Sequence, residues 1–143
     1  MKHLLFFGAM ALLLSSCEPD PFPLELTRFD VTWFDVDESG NQTLDDRIHF
    51  DVLVSITDPE SDEQFITQWE FAYFVNGSFG GVLLGDDRTN ANSVTAQLDV
   101  TPRYLQGPGQ TVIKPGDIIE FRLWAIDNHG TQLEQFHTIA LQP

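Results

Sequence analysis

The chain has 143 residues, of which 22 are acidic and 7 are basic, so its formal charge at pH 7 is −15. A surface this acidic repels the phosphates of nucleic acids and anionic lipid headgroups, so we predict no nucleic acid partner. The single cysteine excludes an internal disulfide, and the length suits one domain that buries its own core.

The N-terminus has the layout of an export signal. Lys2 and His3 precede an apolar run from Leu4 to Leu14, and two small residues follow before Cys17. The run is much shorter than the roughly 20 residues that a helix needs to cross a bilayer. We therefore predict that residues 1–16 are a signal peptide.

The segment Leu14-Ser15-Ser16-Cys17 resembles the lipobox of bacterial lipoproteins. This resemblance implies cleavage before Cys17 and attachment of a diacylglycerol through its thiol. Lipidation would also explain why an exported chain keeps one unpaired thiol. The alternative is an ordinary secretory signal with an incidental cysteine.

A short acidic tether is predicted at residues 17–23. Three prolines alternate in this segment, which favours an extended chain and excludes a helix. The membrane, reached through the lipid at Cys17, is therefore a predicted partner. The acids Glu18 and Asp20 beside the lipid favour the outer membrane of a bacterium, and exposure at the cell surface is left open.

Residues 24–143 are patterned as β-strands almost throughout. Apolar residues recur at every second position, turn residues interrupt them at short intervals, and helical periodicity is absent. The clearest series are Phe29–Trp33, Ile48–Ile56, Trp69–Val75, Val94–Val100, Ile119–Ala125 and Leu133–Leu141. Seven or eight antiparallel strands of this kind predict an all-β sandwich of two sheets, with the core between them.

Two motifs resemble the immunoglobulin-like superfamily, in particular the cysteine-free immunoglobulin-like and PKD-type domains of extracellular bacterial proteins. Trp69-Glu70-Phe71 resembles the Trp-x-Phe of a third strand, and residues 125–130 resemble the turn between the last two strands. The resemblance implies an immunoglobulin-like fold and a role in adhesion, spacing or binding. It is not complete, because Val52 and Leu123 stand where paired cysteines would be and the Gly-Asp-Gly of PKD-type domains is missing.

The acidic segment Asp35–Asp46 follows the ligand spacing of calcium-binding loops. Oxygen atoms at alternate positions can wrap one hard cation, and Gly40 permits the central turn. The predicted metal ligands are Asp35, Asp37, Ser39, Asn41, Thr43 and Asp46. Calcium is thus the one candidate cofactor, whereas a solvated hairpin loop of ordinary turn formers is the alternative.

Strand alternation also predicts a binding face. Arg122 and Trp124 alternate with the core series Ile119–Ala125, and Glu70 and Phe74 are predicted on the outer face of the neighbouring strand. We expect Glu70 and Arg122 to face each other as a cross-strand pair. An outward tryptophan beside polar groups can stack on a sugar ring or fill a pocket of a protein. The alternative is that a loop or the tether covers Trp124.

Signals for catalysis are weak. Outside the signal peptide the histidines are His49, His129 and His137, and no cysteine nucleophile or recognisable serine elbow accompanies them. We therefore predict that the protein is not an enzyme, with a hydrolase as the least favoured class. The first predicted class is a membrane-anchored, non-catalytic binding or accessory module for a protein or glycan partner. The alternative is a structural spacer domain stabilised by calcium, and the sequence does not decide between them.

Overall fold

The computed structural model describes residues 23–57 and 63–143. The predicted signal peptide, the lipidation site at Cys17 and all but the last residue of the predicted tether lie outside the described residues. Nine strands and two short 3-10 turns make up the described part. The strands are β1 (Leu24–Phe34), β2 (Arg47–Ile56), β3 (Ile66–Val75), β4 (Ser78–Asp86), β5 (Ser93–Val100), β6 (Gln106–Gly107), β7 (Thr111–Val112), β8 (Ile118–Asp127) and β9 (Gln132–Ala140). The described ranges contain no helix that is long and apolar enough to span a membrane.

The strands form two antiparallel sheets, which confirms the predicted all-β sandwich class. The three-stranded sheet has the order β1-β2-β5, and the four-stranded sheet has the order β4-β3-β8-β9. β6 and β7 pair only with each other, as a ribbon of two residues each. Seven strands are therefore long and two are very short. This order is compatible with an immunoglobulin-like arrangement in which β4 occupies the place of strand C′ beside strand C.

The core lies between the two sheets because most of the long strands alternate inward and outward residues. In β2 and β8 every second residue is buried. Three fully buried aromatic rings meet at the centre: the Phe50 ring centroid lies 5.0 Å from that of Phe71 and 4.8 Å from that of Phe121. Buried side chains of this size each contribute about 1.5–3 kcal/mol to folding relative to exposure. The core therefore needs no disulfide.

A tight turn joins β3 to β4. Asn76 and Gly77 have φ values of 50° and 79°, and two positive values in succession are typical of the hairpin turn that Asn-Gly favours. The Asn76 amide also donates to Asp117 at 2.9 Å and accepts the Ile118 N–H at 2.9 Å. The turn residue thus fixes the start of β8 as well as the hairpin.

The edge strand β4 is irregular. Its pairing with β3 has two register shifts, each of which marks an extra residue in β4. Gly80 and Gly81 lie against the ring of Tyr73, where a Cβ at Gly80 would overlap the ring. The Tyr73 hydroxyl donates to the Gln106 carbonyl at 2.8 Å. These bulges break the period-two pattern, and for this reason β4 was not among the clearest predicted series.

Candidate functional site

The outer face of the four-stranded sheet carries an apolar surface, which we call the aromatic face. Cross-strand partners share one face of a sheet, so the register places Val82, Ala72, Arg122 and Phe136 in one row across all four strands. Phe79, Val82 and Phe136 are 53%, 51% and 45% exposed. The aromatic face consists of Phe74, Phe79, Val82, Arg122, Trp124 and Phe136.

Arg122 lies at the centre of the aromatic face. Its guanidinium contacts Glu70 Oε1 at 3.1 Å and Glu134 Oε1 at 3.8 Å. The guanidinium carbon lies 5.1 Å from the centroid of the Phe74 ring, which meets Phe79 edge to face at 5.7 Å. Two ion pairs and a cation–π contact hold this side chain in one orientation.

Glu70 and Arg122 form the predicted cross-strand pair, but the two residues lie diagonally across the strands and not directly opposite each other. Glu70 lies opposite Trp124, whereas Arg122 lies opposite Ala72. Ala72 is fully buried beneath this surface although its Cβ points away from the core. The small residue gives Arg122 room to reach the acid diagonally across the strand pair.

Trp124 is partly buried and lines a depression of about 360 Å³ between β3, β4 and β8. The indole N–H donates to Gln132 Oε1 at 3.4 Å. Three acids, Glu70, Asp86 and Asp87, also line this depression. The side chain therefore borders an open surface feature and is tied at one edge to β9.

The outer face of the three-stranded sheet is polar by contrast. Arg28 pairs with Asp51 at 2.9 Å, and His49 pairs with Asp99 at 3.0 Å. The register adds Asp30, Thr32, Thr95 and Gln97 to the same face. Its apolar exceptions are Leu53 and, at the end of β1, Phe34, whose ring lies under the Arg47 guanidinium. The aromatic face is thus confined to one of the two sheets.

Of the four residues predicted for a binding face, Phe74, Arg122 and Trp124 belong to the aromatic face. Glu70, the fourth, lies on the same side of the sheet, opposite Trp124 and paired with Arg122. Sequence reasoning missed Phe79, Val82 and Phe136. Phe136 could have been found, because it alternates with the inward residues of the last strand. Phe79 and Val82 lie on the bulged strand β4, where alternation gives no signal.

The acidic loop between β1 and β2 is built around Asp46, which is 1% exposed. Asp46 Oδ1 accepts the Val36 N–H at 2.9 Å. Its Oδ2 accepts the Thr43 N–H at 2.8 Å and the Trp33 indole N–H at 2.9 Å. One buried carboxylate thus joins the end of β1 to both sides of the loop.

Two further loop carboxylates, those of Asp35 and Asp37, accept hydrogen bonds from within the turn. Asp35 accepts the N–H groups of Ser39 at 3.0 Å and Gly40 at 2.7 Å. Asp37 accepts the Ser39 N–H at 3.0 Å and the Thr43 hydroxyl at 3.1 Å. Hydrogen bonding from Ser39 and Thr43 lowers the pKa of Asp37 below its ordinary value.

Three of the six predicted metal ligands come together. One carboxylate oxygen from each of Asp35, Asp37 and Asp46 lies within 4.8 Å of the others, so the triad could hold a metal ion. Thr43 reaches the triad through its contact with Asp37. The Ser39 hydroxyl and the Asn41 backbone are hydrogen bonded to each other at 3.2 Å.

Two other buried carboxylates anchor turns. Asp127 accepts the N–H groups of His129 at 2.9 Å and Thr131 at 2.8 Å, and it also accepts the Gln64 amide. Asp117 accepts the Lys114 N–H at 3.0 Å. Hydrogen bonds from Asn76 and Lys114 lower the pKa of Asp117. Asp117 and Asp127 thus stabilise the turns next to the two ends of β8.

The chain matches no protein-family model and no curated protein sequence.

Proposed function

We propose that the protein is a membrane-anchored lipoprotein of the cell surface that binds a protein or glycan partner without catalysis, as a binding or accessory module. The observation that carries this proposal is the difference between the two outer faces of the sandwich. One face is polar and ion-paired, whereas the other exposes Phe79, Val82 and Phe136 around a fixed arginine. Large apolar side chains that are exposed together on one face of a domain are typical of a site of interaction.

The composition of the aromatic face supports the same proposal. Aromatic residues and arginine are enriched at the centres of protein interfaces, and lysine is depleted there. Arg122 is already held by Glu70, Glu134 and Phe74, so little side-chain entropy is lost when a partner docks. The face is therefore prepared for binding before the partner arrives.

The predicted anchor is compatible with this use of the domain. From Cys17 to Leu24 an extended tether spans at most about 25 Å. Pro23 is tied to the end of β2, because its carbonyl accepts the Thr57 hydroxyl at 2.8 Å. The lipid would therefore attach at one end of the sandwich, whereas the aromatic face lies along its side and stays accessible.

Site-specific photo-crosslinking on intact cells tests the proposal. A diazirine-bearing phenylalanine replaces Phe136 in one variant and Thr95, on the polar face, in a matched control. We expect crosslinks to one protein or glycan from position 136 and none from position 95. Equal products from both positions, or no product from position 136, would refute a face-specific partner.

A calcium-stabilised spacer is the second candidate function. The observation that favours it is the approach of the carboxylates of Asp35, Asp37 and Asp46. Calcium prefers such oxygen ligands and tolerates irregular shells better than magnesium does. Under this alternative, calcium would tighten the connection between β1 and β2, and the aromatic face would have no partner.

A further inference from the structure

The depression beside Trp124 lies where one position on the outer face of the four-stranded sheet has no side chain. Gly85 lies opposite Glu70, and Glu70 lies opposite Trp124, so the three residues form one row across β4, β3 and β8. A Cβ at Gly85 would lie only 2.8 Å from the carbonyl oxygen of Trp69. The close approach of the two strands therefore requires glycine here, and the missing side chain leaves the depression open.

Every charged residue that lines the depression is an acid. Glu70 forms an ion pair with Arg122, which does not itself line the depression. Asp86 Oδ1 accepts the Arg88 N–H at 2.8 Å. The Asp87 side chain is exposed and has no hydrogen bond or ion pair within the part of the chain that the structure describes. The edge of the depression thus has one carboxylate, that of Asp87, without a partner among the described residues, and the ring of Trp124 lines the same depression.

The Trp124 ring and the Asp87 carboxylate together favour a positively charged ligand. The Trp124 ring attracts a cation through its π-system, and this attraction is stronger for tryptophan than for the other aromatic residues. A cation is also attracted to the Asp87 carboxylate, which has no partner among the described residues, whereas a neutral sugar is not attracted by charge. The formal charge of −15 on the whole chain draws basic partners toward the site and repels acidic glycans.

We propose that this depression binds the side chain of an arginine or lysine from a basic protein segment. The inference rests on the proposed function and deepens it, because it makes the partner of the aromatic face a protein. The cationic group would lie between the Trp124 ring and the Asp87 carboxylate. The flanking apolar residues Val82 and Phe136 would contact the rest of the segment.

Nuclear magnetic resonance titration tests this ligand class. The probes are Ac-Gly-Arg-Gly-amide and its uncharged analogue with citrulline, added to the 15N-labelled chain from residue 17 with Cys17→Ser. We follow the indole N–H signal of Trp124, and the indole of Trp33, which is bonded to Asp46, is the internal reference. We expect a saturable shift of Trp124 with the arginine peptide and binding about tenfold weaker with citrulline.

Two variants carry the same loss of charge and separate the site from the general field. Asp87→Asn removes a carboxylate at the depression, and Asp30→Asn removes one from the polar face. We expect Asp87→Asn to weaken the arginine peptide about fivefold and Asp30→Asn to leave it unchanged. About 0.5 M NaCl should also weaken the binding, since it screens the carboxylates at the rim.

Several outcomes would overturn the inference. These are equal binding of the citrulline peptide, equal loss in both variants, or no Trp124 shift with the arginine peptide. A salt-resistant shift of Trp124 with cellohexaose or chitohexaose would assign the depression to a glycan instead. Crosslinks from position 136 do not depend on this pocket, so the proposed function can survive the failure of the cationic ligand.

Discussion

Asp46→Ala should destabilise the domain more than any other single change in the acidic loop. The substitution removes the acceptor of three N–H donors, which belong to Val36, Thr43 and Trp33. A hydrogen bond to a charged group contributes about 1.5–3 kcal/mol, and a buried donor that is left unpaired adds a desolvation penalty. Water can reach the Trp33 indole, which is 37% exposed, so part of the loss is recovered. We expect the free energy of unfolding to fall by about 3 kcal/mol and Tm to fall by about 10 °C.

Urea denaturation followed by tryptophan fluorescence measures this loss. The neighbouring Asp45 is the matched control, because it is exposed and pairs with Arg103 at the surface. Asp45→Ala should lower the free energy of unfolding far less than Asp46→Ala does, because solvent screens the exposed pair. A loss from Asp46→Ala that is no larger than that of Asp45→Ala would refute the assignment of Asp46 as the anchor of the loop.

Three further changes test the anchor, the binding face and the metal. Cys17→Ala should move the protein from the membrane pellet to the soluble fraction after a carbonate wash, and retention in the pellet would disprove lipid anchoring. Trp124→Ala should lower the free energy of unfolding by about 1 kcal/mol in urea denaturation, because Trp124 is only partly buried. Phe121→Ala removes a fully buried ring from the core and should lower it by about 3–5 kcal/mol in the same assay. Millimolar calcium should raise Tm for the calcium-stabilised alternative, and an unchanged Tm excludes that alternative. Asp35→Ala with Asp37→Ala should abolish the rise and should also lower stability without calcium, since both carboxylates accept hydrogen bonds within the loop.

The fold could be predicted because most long strands follow a strict period of two. The core residues of β2 and β8, such as Phe50 and Phe121, were identified in this way, and the structure buries them fully. The strand β4 could not be identified with equal ease. Its bulges and its contact with Tyr73 depend on pairing with β3, which local alternation does not encode.

The candidate site was only partly predictable for a similar reason. Alternation along single strands placed Arg122 and Trp124 on an outer face, but it could not supply the register between strands. The register decides that Glu70 lies opposite Trp124 and that Gly85 leaves a gap beside them. The approach of the loop carboxylates was easier to predict, because Asp35 and Asp37 are close in sequence and local turn geometry brings them together.

The irregularity of the edge strand β4 affects how copies of the protein behave when they are crowded together. A protein confined to a membrane plane, as proposed here, meets its own copies far more often than it does in free solution. Phe79 and Val82 lie on an edge strand, and a flat apolar edge is a template for strand-by-strand polymerisation. The two bulges and the glycines opposite Tyr73 interrupt the even spacing of backbone donors and acceptors that such growth requires. Removing the bulges from β4 would therefore promote aggregation among neighbouring copies of the protein on the membrane. This effect would come before any change in the affinity of a single copy for its partner.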